Sequence, residues 1–178
     1  MSKKLRLLVT TRCPNKCPMC CNNQFDFSKL PVVDRWNYEE IMITGGKPLL
    51  FMDELCELVE VINSISYIQG NRPNIYLYTS YFNEDCLMWM LGYIDGIVLT
   101  PHKKSDIANF VEFNSKLIAC KDLMFLEGKS LRLNLFPDMK ALLPKDIDLS
   151  LWQVKDMEWV ENCPVPEGED FRRIANLW

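Results

Sequence analysis

The sequence predicts an α/β fold built from parallel βαβ units, and three observations carry the prediction. Short aliphatic runs alternate with stretches of helical periodicity. Glycine or proline cuts several of the runs off abruptly. No linker, low-complexity tract or internal repeat interrupts the alternation, so 1–178 reads as a single domain. With 178 residues, 48% apolar and 25% charged, the chain has the length and balance of one such domain.

The elements follow in order. Leu5 to Thr10 is rich enough in aliphatics to be a buried strand, and the Cys/Pro/Asn-rich segment after it must be loop. Asn22 to Glu39 contains Pro31 and no sustained helical stripe, so the first crossover reads as a shortened helix or an irregular loop. Ile41 to Thr44 is a second strand ending at Gly45-Gly46, and Leu55, Val59, Ile62 and Ile65 then recur at helical spacing. Ile75 to Thr79 is β-like. Asn83 is positioned to cap a short helix, Glu84 to Leu91, with two acids in its first turn. Ile94 to Thr100 reads as the fourth strand. Ser105 can cap a helix whose Ile107, Phe110, Val111, Asn114, Leu117 and Ile118 share a face, and Gly128 ends that helix or the turn beyond it. Ser130 to Phe136 is a fifth strand stopped by Pro137. A less regular connection through Pro144 leads to a sixth, Leu151 to Met157, and Cys163 to Trp178 reads as a Pro/Gly-punctuated tail.

The formal charge of -4 gives no basic excess, so nucleic acid is not expected as a partner. No apolar run approaches the ~20 residues that cross a bilayer, and Met1-Ser2-Lys3-Lys4 leads into a strand without a cleavage site. A soluble cytoplasmic protein, with no membrane partner, is the expectation. Of eight cysteines, Cys13, Cys17, Cys20 and Cys21 crowd together, whereas Cys56, Cys86, Cys120 and Cys163 stand apart. In a reducing compartment that distribution favours a local metal or cluster site over a disulfide framework.

Cys13, Cys17 and Cys20 have the spacing C-x3-C-x2-C directly after the first strand, which would let three thiolates converge on one face of a compact loop. A structural zinc site closes with four protein ligands, and adjacent residues such as Cys20 and Cys21 seldom reach one ion. A [4Fe–4S] cluster held by three thiolates keeps one iron open for chemistry. Cys56, Cys86 and Cys120 read as core thiols that pack as small hydrophobes, Cys21 as a small buried or partly exposed thiol, and Cys163 as a tail thiol of no special role before a substrate contact.

These residues resemble the radical S-adenosylmethionine (SAM) superfamily, whose C-x3-C-x2-C signature lies after the first strand of a six-stranded partial βα barrel. Thr44-Gly45-Gly46-Lys47-Pro48 falls where that family usually has T-G-G-E-P, and strand number and order fit its whole core. The resemblance implies a partial (βα)6 radical SAM barrel with a shortened or irregular first crossover. It implies a [4Fe–4S] cluster on Cys13, Cys17 and Cys20, with SAM on the fourth iron. It implies an oxidoreductase that cleaves SAM reductively to a 5′-deoxyadenosyl radical, for hydrogen abstraction from an unidentified small-molecule or peptide substrate. An electron donor such as flavodoxin or ferredoxin is the implied partner. The alternative is a SAM- or cluster-binding regulatory or interaction protein without radical catalysis; a structural metal protein without SAM is a third reading.

The implied SAM contacts are Met19, Gly45, Gly46, Lys47, Pro48, Thr79, Ser80, Thr100 and Asn134. Residues without Cβ let backbone approach a ligand closely, although a lone glycine pair is equally an ordinary turn. Met19 stands where the family often has an aromatic near adenine. Thr79, Ser80 and Thr100 occupy polar strand-end positions, where such residues either contact a ligand or cap local backbone. Lys47 replaces the usual glutamate, exchanging an acceptor for a donor and reversing the charge beside SAM's amino group. Its head is expected to snorkel to solvent or to pair with a carboxylate, leaving SAM binding weaker and cleavage intact. His102, the only histidine, reads as a solvent-exposed loop residue or a base. Arg132 shares a strand face with Asn134. Lys155, Arg172 and Arg173 read as solvated charges or as contacts to an anionic substrate.

Overall fold

The computed structural model of the chain describes residues 3–17, 20, 25–80, 83–122, 126–160 and 165–178. The strands are β1 (Lys4–Thr10), β2 (Glu40–Gly45), β3 (Asn74–Thr79), β4 (Gly96–Leu99), β5 (Ser130–Leu135), β6 (Gln153–Asp156) and β7 (Glu169–Arg173). The helices are α1 (Met52–Gln69), α2 (Glu84–Leu91), α3 (Lys104–Ala119) and α4 (Pro137–Lys140). The strands form one seven-stranded sheet in the order β6-β5-β4-β3-β2-β1-β7, with parallel ladders. The fold is α/β, and the six expected strands are neighbours in chain order. No helix among the described residues is long and apolar enough to cross a membrane.

The chain divides into two compact units, Met1–Leu77 with Val160–Trp178, and Tyr78–Trp159. In the first unit, β1 lies between β2 and β7, and Leu5, Leu7, Leu8 and Val9 are buried. Leu55, Val59 and Ile62 of α1 are buried at the predicted spacing, with Ser66 continuing the stripe in place of Ile65. The first crossover is irregular as expected. Among its described residues it holds one 3-10 turn, Phe27–Lys29, and a bridge from Val32 to Arg173.

The seventh strand corrects the reading of the tail. Its sequence, EDFRR, has no apolar alternation, and the pairing rests on the ladder from Lys4↔Glu169 to Leu8↔Arg173 together with half-buried charged and hydrogen-bonded pairs. Arg6 Nε donates to Glu169 Oε2 at 2.7 Å. The Tyr38 hydroxyl donates to Asp170 Oδ2 at 2.6 Å and Arg172 Nε to the same oxygen at 2.9 Å. Arg172 also reaches Asp34 Oδ1 at 2.7 Å, and with its side chain only 16% exposed it is a paired strand residue rather than a solvated charge.

That network gives the molecule a definite acid limb. Burial pushes the Asp170 carboxyl upward, but hydrogen bonds from Tyr38 and Arg172, with the charges of Arg172 and Arg35, outweigh burial and hold it below its ordinary 3.8. A carboxyl depressed in the native state contributes stability above its unfolded value and loses it as pH falls through the native value. Asp170→Asn is therefore expected to lower stability by about 2 kcal/mol at neutral pH. The deficit relative to wild type shrinks as the pH drops below 3.8. Urea melts over that range check it, and a deficit independent of pH contradicts it.

In the second unit, α2 has the predicted bounds, and the Asn83 side chain accepts from Cys86 N–H at 3.1 Å as its cap. The cap of α3 differs from expectation. The helix starts at Lys104, so Ser105 lies inside it, and buried Asp106 instead turns its carboxylate back to accept His102 N–H at 3.0 Å. Ile107, Phe110, Phe113, Asn114 and Leu117 are the buried face of α3, while Val111 and Ile118 lie at its margin. Trp152 packs edge-on to Phe110, donates its Nε1–H to Asn114 Oδ1 at 2.8 Å, and so satisfies a buried amide. Gly128 lies in the turn before β5, not at the helix end.

Candidate functional site

The cysteine loop leaves β1 at Thr10, and the chain secures that exit with several hydrogen bonds. Thr10 is fully buried. Its carbonyl accepts Gly46 N–H at 2.7 Å, its hydroxyl accepts Arg12 N–H at 3.1 Å, and the same hydroxyl donates to the Trp178 carbonyl at 2.8 Å. The Arg12 carbonyl then accepts Lys47 N–H at 3.0 Å. The glycine turn after β2 is thus bonded to the first residues of the cysteine loop.

Gly45 and Gly46 are required by this approach. Gly45 has φ 149°, a conformation L side chains rarely adopt, and a Cβ there would overlap the Thr10 carbonyl oxygen. A Cβ on Gly46 would overlap the Arg12 carbonyl and lie 3.0 Å from Cys13 Cβ. The two motifs read separately from the sequence are therefore in contact. Pro48 opens a 3-10 turn, Pro48–Leu50, leading to Phe51, whose ring lies under the Arg12 guanidinium at 5.6 Å and beside Trp178 at 6.2 Å.

Lys47 does not take the solvent route, the first of its two expected placements. Its relative exposure is 1%, so the ammonium does not reach solvent, and it is engaged in an interaction rather than free. The reason lies in the backbone: the Lys47 N–H is tied to the loop at Arg12, and the neighbours Pro48 and Leu49 are buried with it.

Cys13, Cys17 and Cys20 are thiols of intermediate burial, not joined in disulfides, on this loop. Among the described residues no group of three or more His, Cys, Asp or Glu side chains is gathered to hold a metal ion. Asn15, between the first two cysteines, was not anticipated. Its Oδ1 and Nδ2 are both buried without a hydrogen-bond partner, a costly condition for an amide that forms both donor and acceptor contacts. Only its place between two cysteines could have marked it in the sequence. Met19, Cys21 and Cys163 lie outside the described residues.

The remaining candidates belong to the second unit. Thr100 N–H donates to the Thr79 carbonyl at 3.0 Å, and Asn134 Nδ2 donates to Thr100 Oγ1 at 3.3 Å. Thr79 at the end of β3, Thr100 just past β4 and Asn134 near the end of β5 are thus linked in a row, with Ser80 buried after Thr79. Arg132, on the Asn134 face, donates to Ser130 Oγ at 3.1 Å. His102 is half-buried rather than solvent-exposed, its ring 5.7 Å from those of Phe136 and Trp159. Lys155 is exposed.

Cys56, Cys86 and Cys120 are half-buried rather than core residues, and Cys120 caps α3 rather than lying within it. Burial, reinforced by Asp85, pushes the Cys86 thiol above its ordinary value and disfavours the thiolate. Neither any protein-family model nor any curated protein matches the chain.

Proposed function

We propose that the chain is a radical SAM enzyme with a partial (βα)6 barrel, and the observation that carries the reading is the contact between the C-x3-C-x2-C loop and the Gly45-Gly46 turn. A sheet in which β1 to β6 are neighbours in chain order supports it. The residues fit a [4Fe–4S] cluster by the chemistry of the donor set, three thiols on one loop outside any disulfide, and by an orphaned amide at Asn15 among them. Metal binding and the ordering of its ligand loop are coupled, so the cysteines need not be gathered beforehand. When bound, a reduced cluster supplies one electron that divides SAM into methionine and a 5′-deoxyadenosyl radical, which takes a hydrogen atom from substrate.

The chain's own part is placement. Cys13, Cys17 and Cys20 would hold the cluster through three thiolates, leaving one iron open to SAM. Gly45 and Gly46, lacking Cβ atoms, keep the turn low against the loop so that SAM is admitted. Within the second unit, Thr79, Ser80, Thr100 and Asn134 form a polar row of their own at strand ends, Asn134 donating to Thr100. Asn15 presents both an amide donor and a carbonyl acceptor to whatever fills the loop.

The test is anaerobic reconstitution, reduction with dithionite, and measurement of 5′-deoxyadenosine. Product from wild type and none from Cys17→Ala is expected. An intact cluster with no SAM cleavage refutes the reading and leaves a SAM- or cluster-binding interaction protein, which the buried cation at Lys47 favours. Failure to take up iron and sulfide, together with no binding of SAM, refutes both.

A further inference from the structure

The first unit carries a cavity of about 640 Å³ that the cluster and SAM residues do not line. Thr11 at the end of β1, Phe25, Asp26, Phe27, Arg173 and Leu177 are among the residues around it. Its position is informative. Thr11 follows the last residue of β1, Arg173 is the last residue of β7, and the two strands are parallel neighbours, so the cavity opens at their C-terminal ends. That is the end of a parallel sheet where ligands bind, and it is the end from which the cysteine loop departs. The volume suits a small molecule.

The electrostatics select the ligand. Arg173 pairs with no carboxylate among the described residues; its side chain donates from Nη1 to the carbonyls of Ile174 and Ala175, at 3.1 and 2.9 Å. Its Nε is buried without a partner. A partly buried guanidinium with an unused donor is costly unless an anion completes it, and its planar fork matches an oxyanion. Asp26 does not complete it. That carboxylate is turned to Ser28 and Lys29, whose hydrogen bonds, stronger than the opposing effect of burial, hold it below its ordinary value. Phe25 and Phe27 stack 5.8 Å apart and give the cavity an apolar wall.

We infer that this cavity binds the oxyanion of a small molecule with an apolar body, the carboxylate or phosphate on Arg173 and the body against Phe25 and Phe27. As the substrate site of the proposed enzyme it rests on that reading; as a binding site it does not. Binding is measured by calorimetry on the full chain, both iron-free and reconstituted, using phenylacetate, phenyl phosphate and neutral phenylacetamide as probes. One or both anions bind the iron-free chain with Kd below about 10 mM, and the amide binds at least about tenfold more weakly. The stronger anion states whether carboxylate or phosphate is preferred. Arg173→Gln weakens the anions about tenfold or more, and Lys145→Gln, at an exposed position, leaves them unchanged. Should Arg173→Gln lower the melting temperature sharply, Phe25→Ala replaces it, weakening the phenyl-bearing anions while inorganic phosphate is unaffected.

Equal binding of anions and amide, or no measurable binding by wild type, overturns the site. Anion binding without any cluster uptake upholds the site and removes the enzyme reading. Cluster uptake and SAM cleavage without anion binding do the reverse. In the reconstituted chain, a change in the cluster's electron paramagnetic resonance signal on adding the anion ties the cavity to the reaction, and an unaltered signal removes the substrate role.

Discussion

Anaerobically reconstituted wild-type chain is expected to hold one [4Fe–4S] cluster, and Cys13→Ala, Cys17→Ala and Cys20→Ala each to lose it. The effect is all-or-none because each thiolate carries one of the three irons that the protein holds, and losing one opens a second iron to solvent and oxygen. Cys56→Ala, on α1, and Cys86→Ala, where burial disfavours the thiolate, keep the full iron and sulfide content. Asn15→Leu supplies a finer arm. In the iron-free chain it removes an amide whose two polar atoms are buried and unpartnered, so it is neutral or stabilising. In the loaded chain it removes a donor and an acceptor from the ligand loop, so iron is released faster and the visible spectrum changes. Full clusters in all three cysteine variants exclude the loop as the ligand set, and an Asn15→Leu effect equal with and without iron excludes Asn15 from the site.

Legibility in this sequence followed the range of the interactions that make each element. Asn83 and α2 could be read because capping is local: the amide bonds a backbone N–H three residues on. The buried strands could be read because aliphatic runs have no other stable place in a folded chain. β7 could not, since Glu169–Arg173 forms a strand only by pairing with β1 and by placing Glu169 against Arg6 and Asp170 against Tyr38, partners 163 and 132 residues away. At α3 a local rule misled: Lys103 takes the cap position without a side-chain bond, and Asp106 inside the first turn reaches back to the His102 N–H ahead of the helix. The candidate site divides in the same way. Cysteine spacing and the glycine pair are visible in one dimension, but the role of Thr10 depends on Trp178, 168 residues away. Lys47 shows the limit of reasoning from residue type alone: a long flexible cation is expected to find water, yet its backbone is bonded into a covered turn.

Gly45→Ala and Gly46→Ala are each expected to destabilise the fold by about 3 kcal/mol and to impair cluster uptake. For Gly45 two costs add. The residue keeps φ 149°, which alanine tolerates poorly, and the new methyl meets the Thr10 carbonyl, which accepts the neighbouring Gly46 N–H. For Gly46 the obstacle is the Arg12 carbonyl, which accepts Lys47 N–H, and the Cβ of Cys13 lies next to it. Neither obstacle is the end of a flexible side chain, so relief requires the β1 exit or the turn itself to move. Movement of the exit displaces Cys13, and the loss of stability and the loss of iron therefore appear together. Thermal melts of iron-free protein measure the first, and iron and sulfide analysis at a temperature where each variant remains folded measures the second. A folded Gly46→Ala chain with full iron content separates the turn from the cluster and reduces the glycine pair to a strand-to-helix connection. Reduced iron content in folded protein establishes that the turn sets the position of the cysteine loop, because the substitution alters no thiol.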